Sequence, residues 1–195
     1  MGAYASWLTE RMRGGAMRPF VGGNSLGGAI ALTAALQAPA DIGGLVLIGT
    51  GARLRVSAQI FALLDDSWPA GVDTLVDLSL ARAASEDLRR RVKSWHLQVG
   101  RRSTRCDYEA CDKFDVMADV GRLSLPTLII AGTEDRVTPP KYAHYLHDQI
   151  ASSRLEFIPG AGHMPHLEQP AAVNALIRRF LTEHSAQRAG QSNGS

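Results

Sequence analysis

Two apolar runs that flank a charge-free helical stretch constrain this chain more than any other feature. Residues 19 to 23 (PFVGG) read as a short buried strand, residues 26 to 38 (LGGAIALTAALQA) as a helix ended by Pro39, and residues 43 to 50 (GGLVLIGT) as a second strand. An apolar run without polar alternation belongs to a strand covered on both faces, and such strands lie in parallel sheets. Strand, helix, strand is a βαβ unit with a right-handed crossover. The expected class is therefore α/β, a mostly parallel sheet flanked by helices.

The rest of the chain extends this frame. Residues 3 to 13 carry apolar positions at helical spacing and stop at Gly14-Gly15. From Gly51 to Leu123 the texture turns helical without strand runs, in the segments RVSAQIFALLDD, GVDTLVDLSLARA, SEDLRRRVKSWHLQVG and YEACDKFDVMADV. Such a stretch far exceeds the dozen or so residues of one crossover helix, so a helical cap inserted over the sheet is expected at 51–123. Strand texture returns at 126–132 (PTLIIAG), followed by a helix near 140–150, a strand at 154–158 (RLEFI), a loop, and a last helix at 170–182. The core then comprises 1–50 and 124–184, and the small polar residues 185–195 read as a disordered tail.

Composition limits the function classes. Hydrophobic residues make up 45% and charged residues 21%, with a net charge of +2, values of an ordinary globular chain. No apolar run reaches the length of a spanning helix, and no basic leader with an apolar core opens the sequence, so a cytoplasmic protein without membrane association is expected. Arg89, Arg90, Arg91, Lys93, Arg101, Arg102 and Arg105 cluster without interleaved aromatics, which reads as a solvated helix face and not as a nucleic-acid surface. Cys106 and Cys111 fit no zinc spacing and read as reduced thiols. No metal site is expected.

Ser25 lies between the first strand and its helix, in Gly23-Asn24-Ser25-Leu26-Gly27-Gly28. A serine on a sharp strand-to-helix turn needs neighbours with little or no side chain, because strand and helix approach closely there. Such a turn lifts Oγ clear of the sheet and sets it at a helix N-terminus, where free amides and the dipole favour a developing oxyanion. The string alone is a weak signal, and its placement between strand and helix strengthens it.

Two later segments complete a resemblance. PTLIIAG leads into Gly132-Thr133-Glu134-Asp135-Arg136-Val137-Thr138-Pro139, and the last strand leads into FIPGAGHMPHLEQP. With the Ser25 turn, these resemble the nucleophile elbow, acid turn and histidine loop of the α/β-hydrolase family, in that family's chain order and over residues 4 to 183. The resemblance implies Ser25 as nucleophile, Asp135 as orienting acid in preference to Glu134, His163 as base in preference to His96, His144, His147 or His166, and the Leu26 amide as oxyanion donor.

It implies a serine esterase working through an acyl-enzyme on a small acyl substrate, without metal or organic cofactor. A hydrolase of carbon–carbon bonds in meta-cleavage products is a relative with a similar elbow. Trp68, Val137 and Met164 are the expected substrate contacts. Relatives also place several strands and a second oxyanion donor ahead of the nucleophile. The first strand here is accordingly expected at an unpaired edge, completed by a missing N-terminal segment or by a homodimer partner, and the other expected outcome is a catalytically impaired remnant that binds ligands.

Overall fold

The computed structural model describes residues 1–15 and 17–192, with residues 186–192 described as backbone only. The chain runs α1 (Gly2–Met12), β1 (Phe20–Asn24), α2 (Leu26–Gln37), β2 (Gly44–Ile48), then four helices α3 (Ala58–Asp66), α4 (Trp68–Ser79), α5 (Glu86–Val99) and α6 (Arg101–Asp112). It continues through β3 (Thr127–Gly132), α7 (Lys141–Gln149), β4 (Ser153–Ile158), the short α8 (Pro165–Glu168) and α9 (Pro170–Ser192). The four strands form one parallel sheet in the order β1-β2-β3-β4.

The apolar run of β2 is explained by the two layers it serves. Leu45 and Leu47 face a core shared with Ala5 of α1, Leu32 of α2 and Leu146 of α7. Val46 and Ile48 face the opposite layer, with Leu128, Ile130, Val173 and Phe180 of β3 and α9. A strand with apolar neighbours on both faces has no position for a polar residue, and all five residues of β2 are buried. Helix α2 is apolar almost all round for a similar reason, since its Ala and Leu side chains are enclosed by the sheet, α1 and α6.

Between β2 and β3, α3 to α6 lie over the C-terminal ends of the strands. Helices α4 and α5 enclose a small core of Val72, Val76, Leu80, Leu88 and Val92, on which Met164 of the histidine loop and Leu167 of α8 also pack, while α6 lies against α2. The two ends of this stretch meet: the Val116 amide donates to the Ala52 carbonyl (2.8 Å), and Arg53 bridges Asp115. The basic residues of the cap are largely paired on its surface, Arg89 with Asp77, Arg90 with Asp87, Lys93 with Asp73 and Arg105 with Asp65.

Two expectations are corrected. The last cap helix spans Arg101–Asp112 and not the 108–120 segment, because Gly100 (φ 80°) opens a new helix and residues 114–116 turn back to pair with 52–54. Helix α9 continues to Ser192 where a disordered tail was expected from 185, since Ala186, Gln187, Arg188 and Ala189 are adequate helix formers with no proline among them. Residues 193–195 lie outside the described residues. No helix among the described residues is long and apolar enough to cross a membrane.

Candidate active site

Among the described residues Ser25 is the single non-glycine with positive φ, at φ 53° and ψ −116°. Its amide donates to the Ile48 carbonyl (2.9 Å), and its carbonyl accepts from the Ala29 amide (3.1 Å) and Thr50 Oγ1 (2.9 Å). The chain can turn this tightly because Gly23 lacks a side chain: a Cβ there would lie 2.3 Å from the carbonyl carbon of Gly27. Leu26, the expected oxyanion donor, is the first residue of α2, whose leading amides have no acceptor within the helix.

Asp135 and His163 come from the loops after β3 and β4, and both side chains are buried. His163 Nδ1 stands 2.9 Å from Asp135 Oδ2. The carboxylate is held by three further donors, the Val137 and Thr138 amides on Oδ1 and Thr138 Oγ1 on Oδ2, each at 2.8 Å. Burial by itself would raise the Asp135 pKa. The hydrogen bond and charge of His163, together with the Thr138 donors, outweigh burial and hold the carboxyl below its ordinary value. An ionised Asp135 fixes the proton of a neutral imidazole on Nδ1 and leaves Nε2 as the free acceptor. Glu134, the competing carboxylate, is exposed.

The histidine loop is tied to the serine turn by a residue that the sequence did not single out. Asn24 Nδ2 donates to the His163 carbonyl (2.9 Å) and to the Ile48 carbonyl (3.2 Å), so the residue before Ser25 holds the backbone of His163. Thr138 Oγ1, which also lies 3.2 Å from His163 Nδ1, is the second such residue. Ser25 Oγ itself makes no hydrogen bond to the imidazole among the described residues.

Ser25 and Val137 line one small cleft with Leu54, Val56, Cys111 and Tyr142. Arg55, Val56 and Val137 are shared with a larger open cavity beneath the cap, whose wall includes Leu63, Leu75 and Tyr108. Trp68 and Met164 pack against the cap core and do not line the Ser25 cleft. The other histidines lie elsewhere: His144 packs on Phe157, His147 meets Ser153, His184 lies against the Phe180 carbonyl, and His96 lies on the cap helix α5. His166 is partly buried, with its pKa lowered by burial and by the nearby His163. No cluster of three or more metal-ligating side chains occurs among the described residues.

Known proteins share this arrangement of elements. The chain is 28% identical over 181 residues to a pimeloyl-(acyl-carrier protein) methyl ester esterase of Neisseria meningitidis, covering 82% of this chain and 67% of that protein. It is 30% identical over 187 residues to the enzyme of the same description from Nitrosomonas europaea, covering 84% of this chain and 70% of the other. Its length thus spans about two thirds of these relatives.

Among solved structures, a thermophilic esterase superposes with a TM-score of 0.85 at 34% identity, over 93% of this chain and 73% of the other. A hydrolase from Pseudomonas aeruginosa superposes with a TM-score of 0.80 at 28% identity, over 92% and 70%. The sequence profile of the alpha/beta hydrolase family matches residues 3–176, a span that takes in the serine turn, the buried carboxylate and the histidine loop. With four parallel strands, helices on both faces and a helical cap inserted between β2 and β3, the chain belongs to the alpha/beta hydrolase family.

Proposed function

We propose that this hydrolase cleaves carboxylic esters through an acyl-enzyme formed on Ser25, with His163 as the base and Asp135 as its orienting acid. The observation that carries the reading is the buried His163–Asp135 pair at 2.9 Å, on a loop tethered through Asn24 to the strained turn that carries Ser25. The esterase relatives support the same reaction class.

In this reading the acyl group lies in the cavity under the cap, with Val137 at its junction with the serine cleft. His163 Nε2 takes the hydroxyl proton as Ser25 Oγ adds to the ester carbonyl, and the imidazolium is stabilised by the ionised Asp135. The oxyanion forms against the leading amides of α2, with Leu26 first, where the helix dipole favours negative charge. Collapse expels the alcohol with the proton from His163. Water then repeats the sequence on the acyl-enzyme and releases the acid. A small acyl substrate and a cytoplasmic setting complete the proposal.

A fluorophosphonate probe and p-nitrophenyl esters of graded acyl length test it. The chain is expected to be labelled once, at Ser25, and to hydrolyse the esters, while Ser25→Ala abolishes both and His163→Ala lowers turnover by at least about 10³-fold. A folded protein that is neither labelled nor hydrolytic refutes the proposal.

A further inference from the structure

We infer that Glu168 is a positioning residue that fixes the loop of His163 and couples it to the cap. This inference rests on the esterase reading above and adds a residue to that site.

The Glu168 carboxylate sits at the end of α8 and accepts hydrogen bonds from backbone amides on two separate parts of the chain. Oε1 accepts from Gly162 (3.0 Å) and Met164 (3.2 Å), and Oε2 accepts from Ala81 (2.8 Å) and Gly162 (3.1 Å). The amides on both sides of His163 therefore point at one carboxylate. The amide of His163 itself donates to the Ser79 carbonyl (2.9 Å), at the C-terminal end of α4. Three consecutive amides of the histidine loop are thus held, two by Glu168 and one by the cap.

The four contacts all end on one carboxylate, the Gly162 amide being shared between its two oxygens, and Glu168 engages in no ion pair among the described residues that would divide its charge. The space around the contact is closed. A Cβ on Gly162 would lie 2.5 Å from the Ala81 nitrogen, so histidine loop and cap segment meet backbone to backbone.

The same cap segment is gripped from the acid turn. Arg136 Nη2, one residue after Asp135, donates to the Leu80 carbonyl (3.1 Å) and to the Asp77 carbonyl. Residues 77–81 of the cap are consequently seated on both loops that carry the acid and the base. If the Glu168 contacts are removed, the Ala81, Gly162 and Met164 amides lose their acceptor together, and the backbone of His163 is left with the Asn24 tether and the Ser79 contact. A displacement of the base by about 1 Å is enough to lower turnover by roughly 10²-fold while substrate binding at the cavity wall is unaffected.

The test compares wild type, Glu168→Ala, Glu168→Gln and the control Glu156→Ala. Glu156 carries a carboxylate paired to Arg179 away from the site. Each variant is titrated with fluorophosphonate, and kcat per titrated site, KM and the pH profile of kcat/KM are measured on p-nitrophenyl acetate.

Glu168→Ala is expected to lose about 10²-fold in kcat per site, with KM within about threefold and the acid limb of the profile displaced, while Glu156→Ala matches wild type. Gln retains one acceptor oxygen for the loop amides and turns a donor toward Ala81. It is expected to fall between the two, about three- to tenfold below wild type in kcat per site with KM unchanged and the acid limb displaced in the same direction.

Wild-type kcat per site in a folded Glu168→Ala overturns the inference, as does a loss explained wholly by fewer titratable sites. Should the Ala variant fail to fold, Glu168→Gln decides, and wild-type kcat with an unmoved pH profile overturns it. A wild-type chain inert to probe and ester overturns the hydrolase reading instead, so the two failures are distinguishable.

Discussion

Substituting Gly23 by alanine probes the geometry on which the serine turn depends. An ideal Cβ at Gly23 would stand 2.3 Å from the Gly27 carbonyl carbon, 2.6 Å from its oxygen and 2.7 Å from its Cα. All three are backbone atoms of α2, so no side chain can swing away to relieve the overlap. Carbon atoms in contact prefer about 3.5 Å or more, and β1 and α2 must separate locally by roughly 1 Å to admit the methyl group.

Overpacking of this kind costs about 1–3 kcal/mol. For a chain of this length, about 2 kcal/mol corresponds to a fall in Tm of roughly 4–8 °C. Ser25 lies between the two elements that must part, so its hydroxyl is displaced with them. A shift of about 1 Å predicts a loss in kcat of roughly 10²-fold for p-nitrophenyl acetate hydrolysis. Thermal unfolding by circular dichroism and steady-state kinetics on one preparation measure both effects. A Gly23→Ala protein with Tm within about 1 °C of wild type and kcat within about twofold refutes the close-approach reasoning.

Three further outcomes follow from the site. Thr138→Val removes one donor to Asp135 Oδ2 and one contact to His163, so a destabilisation of about 1–2 kcal/mol in urea unfolding and roughly tenfold lower kcat are expected. The Asp135 carboxyl is held below its ordinary value, so its stabilising contribution is complete above about pH 4 and is lost as pH falls through the lowered folded-state value. The stability difference between wild type and Asp135→Asn, followed by urea unfolding from pH 6 downward, should accordingly stay level to about pH 4 and shrink below it. A difference that shrinks already near neutrality contradicts that assignment. Burial pushes the Cys111 thiol up to about 11, whereas Cys106 is exposed, so iodoacetamide at mild alkaline pH should alkylate Cys106 and spare Cys111, as read by peptide mass mapping.

The parts of this molecule that were legible in the sequence are those written in local periodicity. β2 and β3 announce themselves as unbroken apolar runs because both faces are covered, and α2 is bounded by the Ser25 turn and Pro39. α6 begins seven residues ahead of the expected segment, because its opening RRSTR holds no apolar residue that would mark the helix start.

At the site, the resemblance named Asp135 and His163, and the fold places them in hydrogen-bond contact. It did not name Asn24 or Glu168, because their partners are carbonyls and amides. Asn24 reaches a carbonyl 139 positions away and Glu168 an amide 87 positions away, and every residue type offers the same backbone group. Side-chain-to-backbone ties across such distances leave no pattern in a single sequence. Trp68 illustrates the converse: a large aromatic in the cap invites assignment to the substrate, and in the fold it packs, partly buried, against the cluster of Val72, Val76, Leu80, Leu88 and Val92.

The backbone at Ser25 has a thermodynamic consequence of its own. A residue with a Cβ held at φ 53° and ψ −116° occupies territory that glycine visits freely and other residues enter at about 1–3 kcal/mol. Ser25→Gly should therefore melt several degrees above Ser25→Ala, and above the wild-type chain as well, although neither variant can form an ester bond to substrate. The hydroxyl sits where the polypeptide would rather carry no side chain, and heat tolerance is what the protein relinquishes to keep it there.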